Sequence, residues 1–216
     1  MDISLIETLR WEPGDGFVRL DRHLARLQRS AEALSMVGAG GAERALTKAV
    51  TAPPLPTPSP EVEASPLRVR LELFADGRIE VTTAPFKPLA ADARWTVKVA
   101  TTRLSSTDPL LRHKTSRRAA YEAARAEFPA VDADEVVLLN ERGEACEGTI
   151  TSIFLDDGTG IMKTPPLACG LLAGVLREEL LETGRATEQP LQVEDLRRHP
   201  FYVGNSLRGL IPARLA

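Results

Sequence analysis

Apolar residues crowd positions 3–9 and predict an opening strand. The cluster Pro13-Gly14-Asp15-Gly16 marks a turn, and Phe17, Val18 and Leu20 suggest a second short strand. Asp21 is the expected N-cap of a helix carrying Leu20, Leu24, Leu27, Ala31 and Leu34 as one stripe and ending near Gly38. Arg22, Arg26 and Arg29 lie off that stripe. Residues 43–50 suggest another helix. The proline run that follows forbids regular helix or central strand, so residues 51–66 read as an extended surface loop. Residues 67–74 alternate Leu or Val with Arg or Glu, and the pattern resumes over 79–83 after Asp76-Gly77, which predicts a hairpin. Residues 95–100 form a further strand, and Ser105-Ser106-Thr107-Asp108-Pro109 is the expected domain boundary.

The second half reads as a helix over 115–127, a buried strand over 135–139 turning at Glu141-Arg142-Gly143, and a β-branched strand over 149–155. A turn at 156–160 leads to a short strand at 161–163. A helix over 171–182 stops at Gly184, and a helical piece at 195–198 precedes a strand at Tyr202-Val203. Strands and helices mix without strict βαβ alternation. The expected class is α+β in two lobes: residues 1–106 as a small N-terminal α/β lobe and 107–216 as a larger C-terminal β-rich lobe.

Composition narrows the function. The 216 residues carry a net charge of −3, which argues against a nucleic-acid partner. Aromatics are only 5%, so Leu, Val, Ile and Ala must build the core. Cys146 and Cys169 are too few for a four-cysteine zinc site, and three histidines make metal catalysis an unpromising reading. No apolar run approaches the roughly 20 residues of a membrane span, and the first residues lack the basic start and apolar stretch of a signal peptide. A soluble cytoplasmic protein is the expectation. His23, on a helix among charges, reads as a solvated side chain, and His199, before Pro200 in an Arg-rich patch, as surface. Serine-hydrolase, zincin, phosphate-loop and dinucleotide signatures are all missing.

Four segments remain, in order: Arg19-Leu20-Asp21-Arg22-His23-Leu24-Ala25-Arg26-Leu27; Leu111-Arg112-His113-Lys114-Thr115-Ser116-Arg117-Arg118; residues 134–143 continuing through Glu147-Gly148-Thr149-Ile150-Thr151-Ser152; and Gly170-Leu171-Leu172-Ala173-Gly174-Val175-Leu176-Arg177 with Asn205-Ser206-Leu207-Arg208-Gly209. Together they resemble the class IV aminotransferases, the fold-type IV pyridoxal-phosphate enzymes. That family holds branched-chain and D-amino-acid aminotransferases and aminodeoxychorismate lyases. The resemblance implies a two-lobed fold with the cofactor between the lobes, a small amino substrate and a homodimer.

It also implies roles. Only five lysines occur among 27 basic residues. Spacing alone leaves Lys114 a surface lysine; the resemblance makes it the Schiff-base lysine, with Arg112, Arg117, Arg118 and partial burial expected to lower its pKa. Glu147 matches the acid that partners the ring nitrogen, with Glu144 as the local competitor. The phosphate is expected at Arg26, at Gly174, Val175 and Leu176 ahead of a helix, and at Asn205 and Ser206, with Thr149 a further cofactor-binding residue. Thr8 is either an ordinary strand threonine or an aid to proton transfer, as in the lyases. Arg118, four residues after Lys114, is a candidate substrate contact. The chain has Ser152 where many members have Asn, Leu176 where aminotransferases have Thr, and Ala119 where they have Tyr. The strands that usually lead into the Glu-Thr pair are not expected. Arg118 and Leu176 tilt the expectation to 4-amino-4-deoxychorismate lyase of the folate pathway. An aminotransferase of branched-chain or D-amino acids, and a cofactor-binding member without turnover, stay open.

Overall fold

The computed structural model describes residues 3–51 and 65–216. It divides into two compact units: Met1–Pro88 with Lys114–Arg117, and Leu89–His113 with Arg118–Ala216. The proline-rich run expected as a loop falls, apart from Thr51, Ser65 and Pro66, outside the described residues. Among the described residues no helix is long and apolar enough to cross a membrane.

Among the described residues the first unit is a four-stranded antiparallel sheet, order β2-β1-β3-β4, with two α-helices. Its strands are β1 (Leu5–Glu12), β2 (Gly16–Phe17), β3 (Leu67–Leu73) and β4 (Ile79–Pro85). The hairpin read from alternation is present, with Leu73 opposite Ile79. Helix α1 (Leu20–Ala33) carries the leucine stripe, and α2 (Ala42–Thr51) follows. Leu5, Leu9, Leu27, Leu46, Val69, Leu71 and Leu73 form the core. The N-cap of α1 is Arg19 in the left-handed region at φ 60°, not Asp21, which sits in the first turn where an acid suits the helix dipole.

The segment 114–117 belongs to this unit and is not helical. Ile6 donates to the Lys114 carbonyl at 2.7 Å and Ser116 to the Ser4 carbonyl at 2.9 Å, so the segment lies as a short antiparallel ribbon along β1. The helix expected from 115 begins only at Ala119, as α3 (Ala119–Ala126).

The second unit is built on an eight-stranded mixed sheet, order β10-β9-β8-β11-β12-β5-β6-β7. The strands are β5 (Trp95–Leu104), β6 (Glu135–Asn140), β7 (Ala145–Gly148), β8 (Ser152–Leu155), β9 (Met162–Thr164), β10 (Ala186–Glu188), β11 (Phe201–Asn205) and β12 (Gly209–Leu215). Helices α3, α4 (Val175–Glu182) and α5 (Val193–Arg198) complete it. β5 pairs in parallel with both β6 and β12, which places it in this sheet. The division of the chain therefore falls at Pro88/Leu89 instead of at residues 105–109. β6 is buried along its whole length, as a central strand covered on both faces must be.

Candidate active site

In the first unit the chemistry starts on β1. Period-two alternation puts Leu5, Glu7 and Leu9 on the core side. A carboxylate there needs cationic partners, and α1 supplies them. Arg26 donates to Glu7 from Nε at 2.9 Å and Nη2 at 2.6 Å, a bidentate pair, and His23 Nδ1 lies 2.6 Å from Oε2. Glu7, His23 and Arg26 are 3%, 1% and 5% exposed. His23 is thus a buried partner of a carboxylate, which corrects its reading as a solvated side chain; Arg26 is equally buried, although it stands off the leucine stripe. Burial would raise the Glu7 carboxyl, but the Arg26 charge and the His23 hydrogen bond hold it down at about 2. His23 is held below its ordinary value, by burial first, with the Arg26 and Lys114 charges adding to it against the pull of Glu7. Lys114, half-buried, is therefore electrically within reach of this cluster. Thr8 follows Glu7 on the opposite face of β1 and is half-buried.

In the second unit Glu147 lies on β7, opposite Leu138 of β6, and is 5% exposed. Its Oε1 accepts from the Tyr121 hydroxyl at 2.7 Å and from the Leu172 N–H at 3.1 Å. Burial, then the Glu147 charge, push the Tyr121 phenol well above its ordinary value, so it stays a donor. The Arg118 guanidinium lies 4.7 Å from the centre of the Tyr121 ring and donates to the Thr149 carbonyl at 2.5 Å. Glu144, the competitor for the ring nitrogen, instead accepts from Arg142 and Asn140 at the hairpin turn.

Thr149 is fixed from its other side. Glu135, fully buried, accepts from the N–H groups of Val136, Thr149 and Ile150 and from the hydroxyls of Thr149 and Thr151 at 2.5–3.1 Å. Residues 148–151 wrap around this carboxylate, so the strand expected over 149–155 starts only at Ser152. A Cβ at Gly148 would fall 2.7 Å from a Glu135 oxygen, which leaves room for glycine alone.

Gly174 caps α4 with no side-chain cap, so the first N–H groups of that helix have no such acceptor. A Cβ there would meet the Ser152 hydroxyl at 2.7 Å. The Val175 and Leu176 side chains are buried, and these positions offer an anion only backbone donors. Asn205 is committed locally: Nδ2 donates to the Ile150 carbonyl at 3.1 Å and Oδ1 accepts from the Arg208 N–H at 2.9 Å. Ser206 is buried beside it.

Each unit holds groups whose chemistry suits pyridoxal phosphate: the second a buried acid accepting from the Tyr121 hydroxyl and the Leu172 N–H and a helix start lacking a side-chain cap, the first a half-buried lysine. In the second unit Arg118, Glu147 and Thr149 come together through Tyr121 and Glu135; in the first, Arg26 pairs with Glu7 beside His23, and the Lys114 charge acts on His23. Glu7, His23, Tyr121 and Glu135 are neighbours of these residues to which motif reading gave no role. The available signal was a lone acid at a core-facing strand position, for Glu7 and Glu135 alike.

The amino-transferase class IV family model matches residues 4–216. A Mesorhizobium loti structure, provisionally named an amino-acid aminotransferase, is 48% identical over the full length of both chains, with a TM-score of 0.91. A Schizosaccharomyces pombe protein provisionally named aminodeoxychorismate lyase is 33% identical over 86% of this chain and 76% of its own length. A Thermotoga maritima protein named probable branched-chain-amino-acid aminotransferase is 28% identical over 68% of this chain, which spans 56% of that relative's length. The chain belongs to the class IV amino-transferase family, a family of pyridoxal-phosphate enzymes.

Proposed function

We propose that this chain is a 4-amino-4-deoxychorismate lyase, releasing 4-aminobenzoate and pyruvate from a small amino substrate, with Lys114 and Glu147 as its central groups. The cofactor, when bound, supplies an electron sink for the bond being broken in the substrate. Lys114 Nζ would hold the cofactor at its aldehyde carbon and would take up the proton that leaves the substrate carbon. Glu147 would partner the ring nitrogen and keep the proton there. The first N–H groups of α4, Ser206 and the Arg26 guanidinium would bind the phosphate. The Thr8 hydroxyl passes a proton to the departing fragment.

The observation that carries the reading is the Glu147 carboxylate, buried and held by the Tyr121 hydroxyl and the Leu172 N–H. The lyase is favoured by Arg118, four residues after Lys114, by the apolar Leu176, and by the S. pombe relative, which resembles more of this chain than the branched-chain aminotransferase does. The name carried by the M. loti structure favours a second reading, an aminotransferase that passes the amino group to a 2-oxo acid. Product analysis separates them. Cofactor-saturated protein given 4-amino-4-deoxychorismate should form 4-aminobenzoate and pyruvate in equal amounts; formation only of glutamate from 2-oxoglutarate and a branched-chain or D-amino donor would replace the first reading by the second. Borohydride reduction followed by peptide mapping should fix the cofactor on the peptide containing Lys114, and Lys114→Ala should abolish that adduct.

A further inference from the structure

Tyr121 stands seven residues after Lys114, on α3, where no role follows from the motifs. Its hydroxyl donates to Glu147 Oε1 at 2.7 Å, and the Leu172 N–H donates to the same oxygen. Its ring lies under the Arg118 guanidinium, and Arg118 is anchored in turn on the Thr149 carbonyl of the loop that Glu135 organises. The phenol is therefore clamped at both ends: the hydroxyl by a carboxylate, the ring face by a cation. Stacking of a cation on the ring draws electron density from the hydroxyl and strengthens it as a donor. The groups acting electrically on the phenol are Glu147 and Arg118, with the Cys146 thiol beside them.

A hydrogen bond donated to a carboxylate stabilises the anion over the acid. In a pair that shares one proton between a carboxylate and a ring nitrogen, such a donor moves the proton toward the nitrogen. We propose that Tyr121 is a positioning residue that keeps Glu147 in its anionic form, so that the shared proton resides on the cofactor's ring nitrogen. This rests on the assignment of Glu147 above. It makes the Arg118–Tyr121 stack, rather than the acid alone, the setting of the site's electron-withdrawing power.

The test uses the full chain loaded with pyridoxal phosphate carrying nitrogen-15 in the ring, compared with Tyr121→Phe and with 3,5-difluorotyrosine placed at 121. In the native protein the ring-nitrogen signal is expected on the protonated side of the midpoint, short of the fully protonated limit. Tyr121→Phe should move it toward unprotonated pyridine and lower kcat roughly 10- to 100-fold, the range expected for losing one hydrogen bond to a charged group, with KM changed far less. The fluorinated residue keeps the shape of tyrosine but donates more strongly. Because burial and the Glu147 charge hold the native phenol above its ordinary value, the analogue stays protonated and should move the signal the opposite way. A residue that merely filled space would give no such graded, two-directional response. Identical nitrogen signals in all three loaded proteins would overturn the proposal. If the native protein takes up no cofactor, the assignment of Glu147 fails separately. The Tyr121 coupling is still decided in the cofactor-free protein, where the carbon-13 titration of the Glu147 carboxyl should rise in Tyr121→Phe; an unchanged titration would overturn it.

Discussion

Acid should destabilise the first unit mainly through Glu7. Glu7 is buried between Arg26 and His23, and its carboxyl is held down from an ordinary 4.5 to about 2. A group whose pKa is depressed on folding contributes stability above its unfolded value and loses it as pH falls through the folded one. Over that interval, at about 1.4 kcal/mol per pH unit, Glu7 accounts for about 3 kcal/mol, present above pH 4.5 and lost on the way to pH 2. His23 is also depressed, so it acts in the same direction and begins earlier, below its unfolded value of 6.5. Glu7→Gln removes the titrating group and strands a buried guanidinium. At neutral pH that should cost about 3–5 kcal/mol, and the acid limb below pH 4.5 should flatten. Replacing all three groups together, as Glu7→Leu, His23→Leu and Arg26→Met, should recover most of the loss, because no charge is then left unpaired. Urea unfolding between pH 2 and 8 measures this. A Trp95→Phe background leaves Trp11, packed on the first core, as the single tryptophan reporter of that unit. If Glu7→Gln kept the native slope between pH 4.5 and 2, or if the triple replacement were no more stable than the single one, the carboxylate would not be the element that acid attacks.

Two further outcomes follow from the second unit. Glu135→Gln places an amide NH₂ against donors, and the Ile150 N–H cannot turn away as a hydroxyl can; urea unfolding should show a loss of about 3 kcal/mol, with weaker cofactor retention because Thr149 loses its anchor. Cys146 and Cys169 are both buried, and burial pushes both thiols up, Cys169 to about 11, so a disulfide reagent should leave the native protein unmodified at neutral pH and titrate both cysteines after denaturation.

The parts of the fold that were legible in the sequence are those governed by local periodicity. The β3–β4 hairpin and the leucine stripe of α1 were read correctly because burial on one face alone decides their pattern. What failed were elements fixed by distant partners. Residues 115–118 carry enough helix-compatible residues to extend α3 backwards, yet hydrogen bonds to Ser4 and Ile6 draw 114–117 out along β1. Residues 149–151 are β-branched and read as strand, but the Glu135 carboxylate collects their donors and bends them into a loop. β12 was missed because Gly209 and Pro212 interrupt its apolar run, although Pro212 faces Tyr202 inside an antiparallel pair. The turn at 105–109 looked like a boundary because turn chemistry marks chain reversals equally within a domain and between domains.

The candidate site divides along the same physical line. Lys114 and Glu147 were reachable through motifs, whereas the groups that hold their surroundings were not, since a motif records residues and leaves out what they touch. One rule would have recovered part of this. Leu5, Glu7 and Leu9 share the core face of β1, and a carboxylate on that face is stable only if a facing element delivers a cation. On α1, His23 and Arg26 are three residues apart and flank Leu27, so they sit on the same side of the helix as the core. An acid in the apolar register of a strand, followed by a helix with two basic residues beside its apolar stripe, thus predicts a buried ion cluster. The same reasoning at the head of β6 singles out Glu135, for which the partners are backbone N–H groups and hydroxyls in place of a cation.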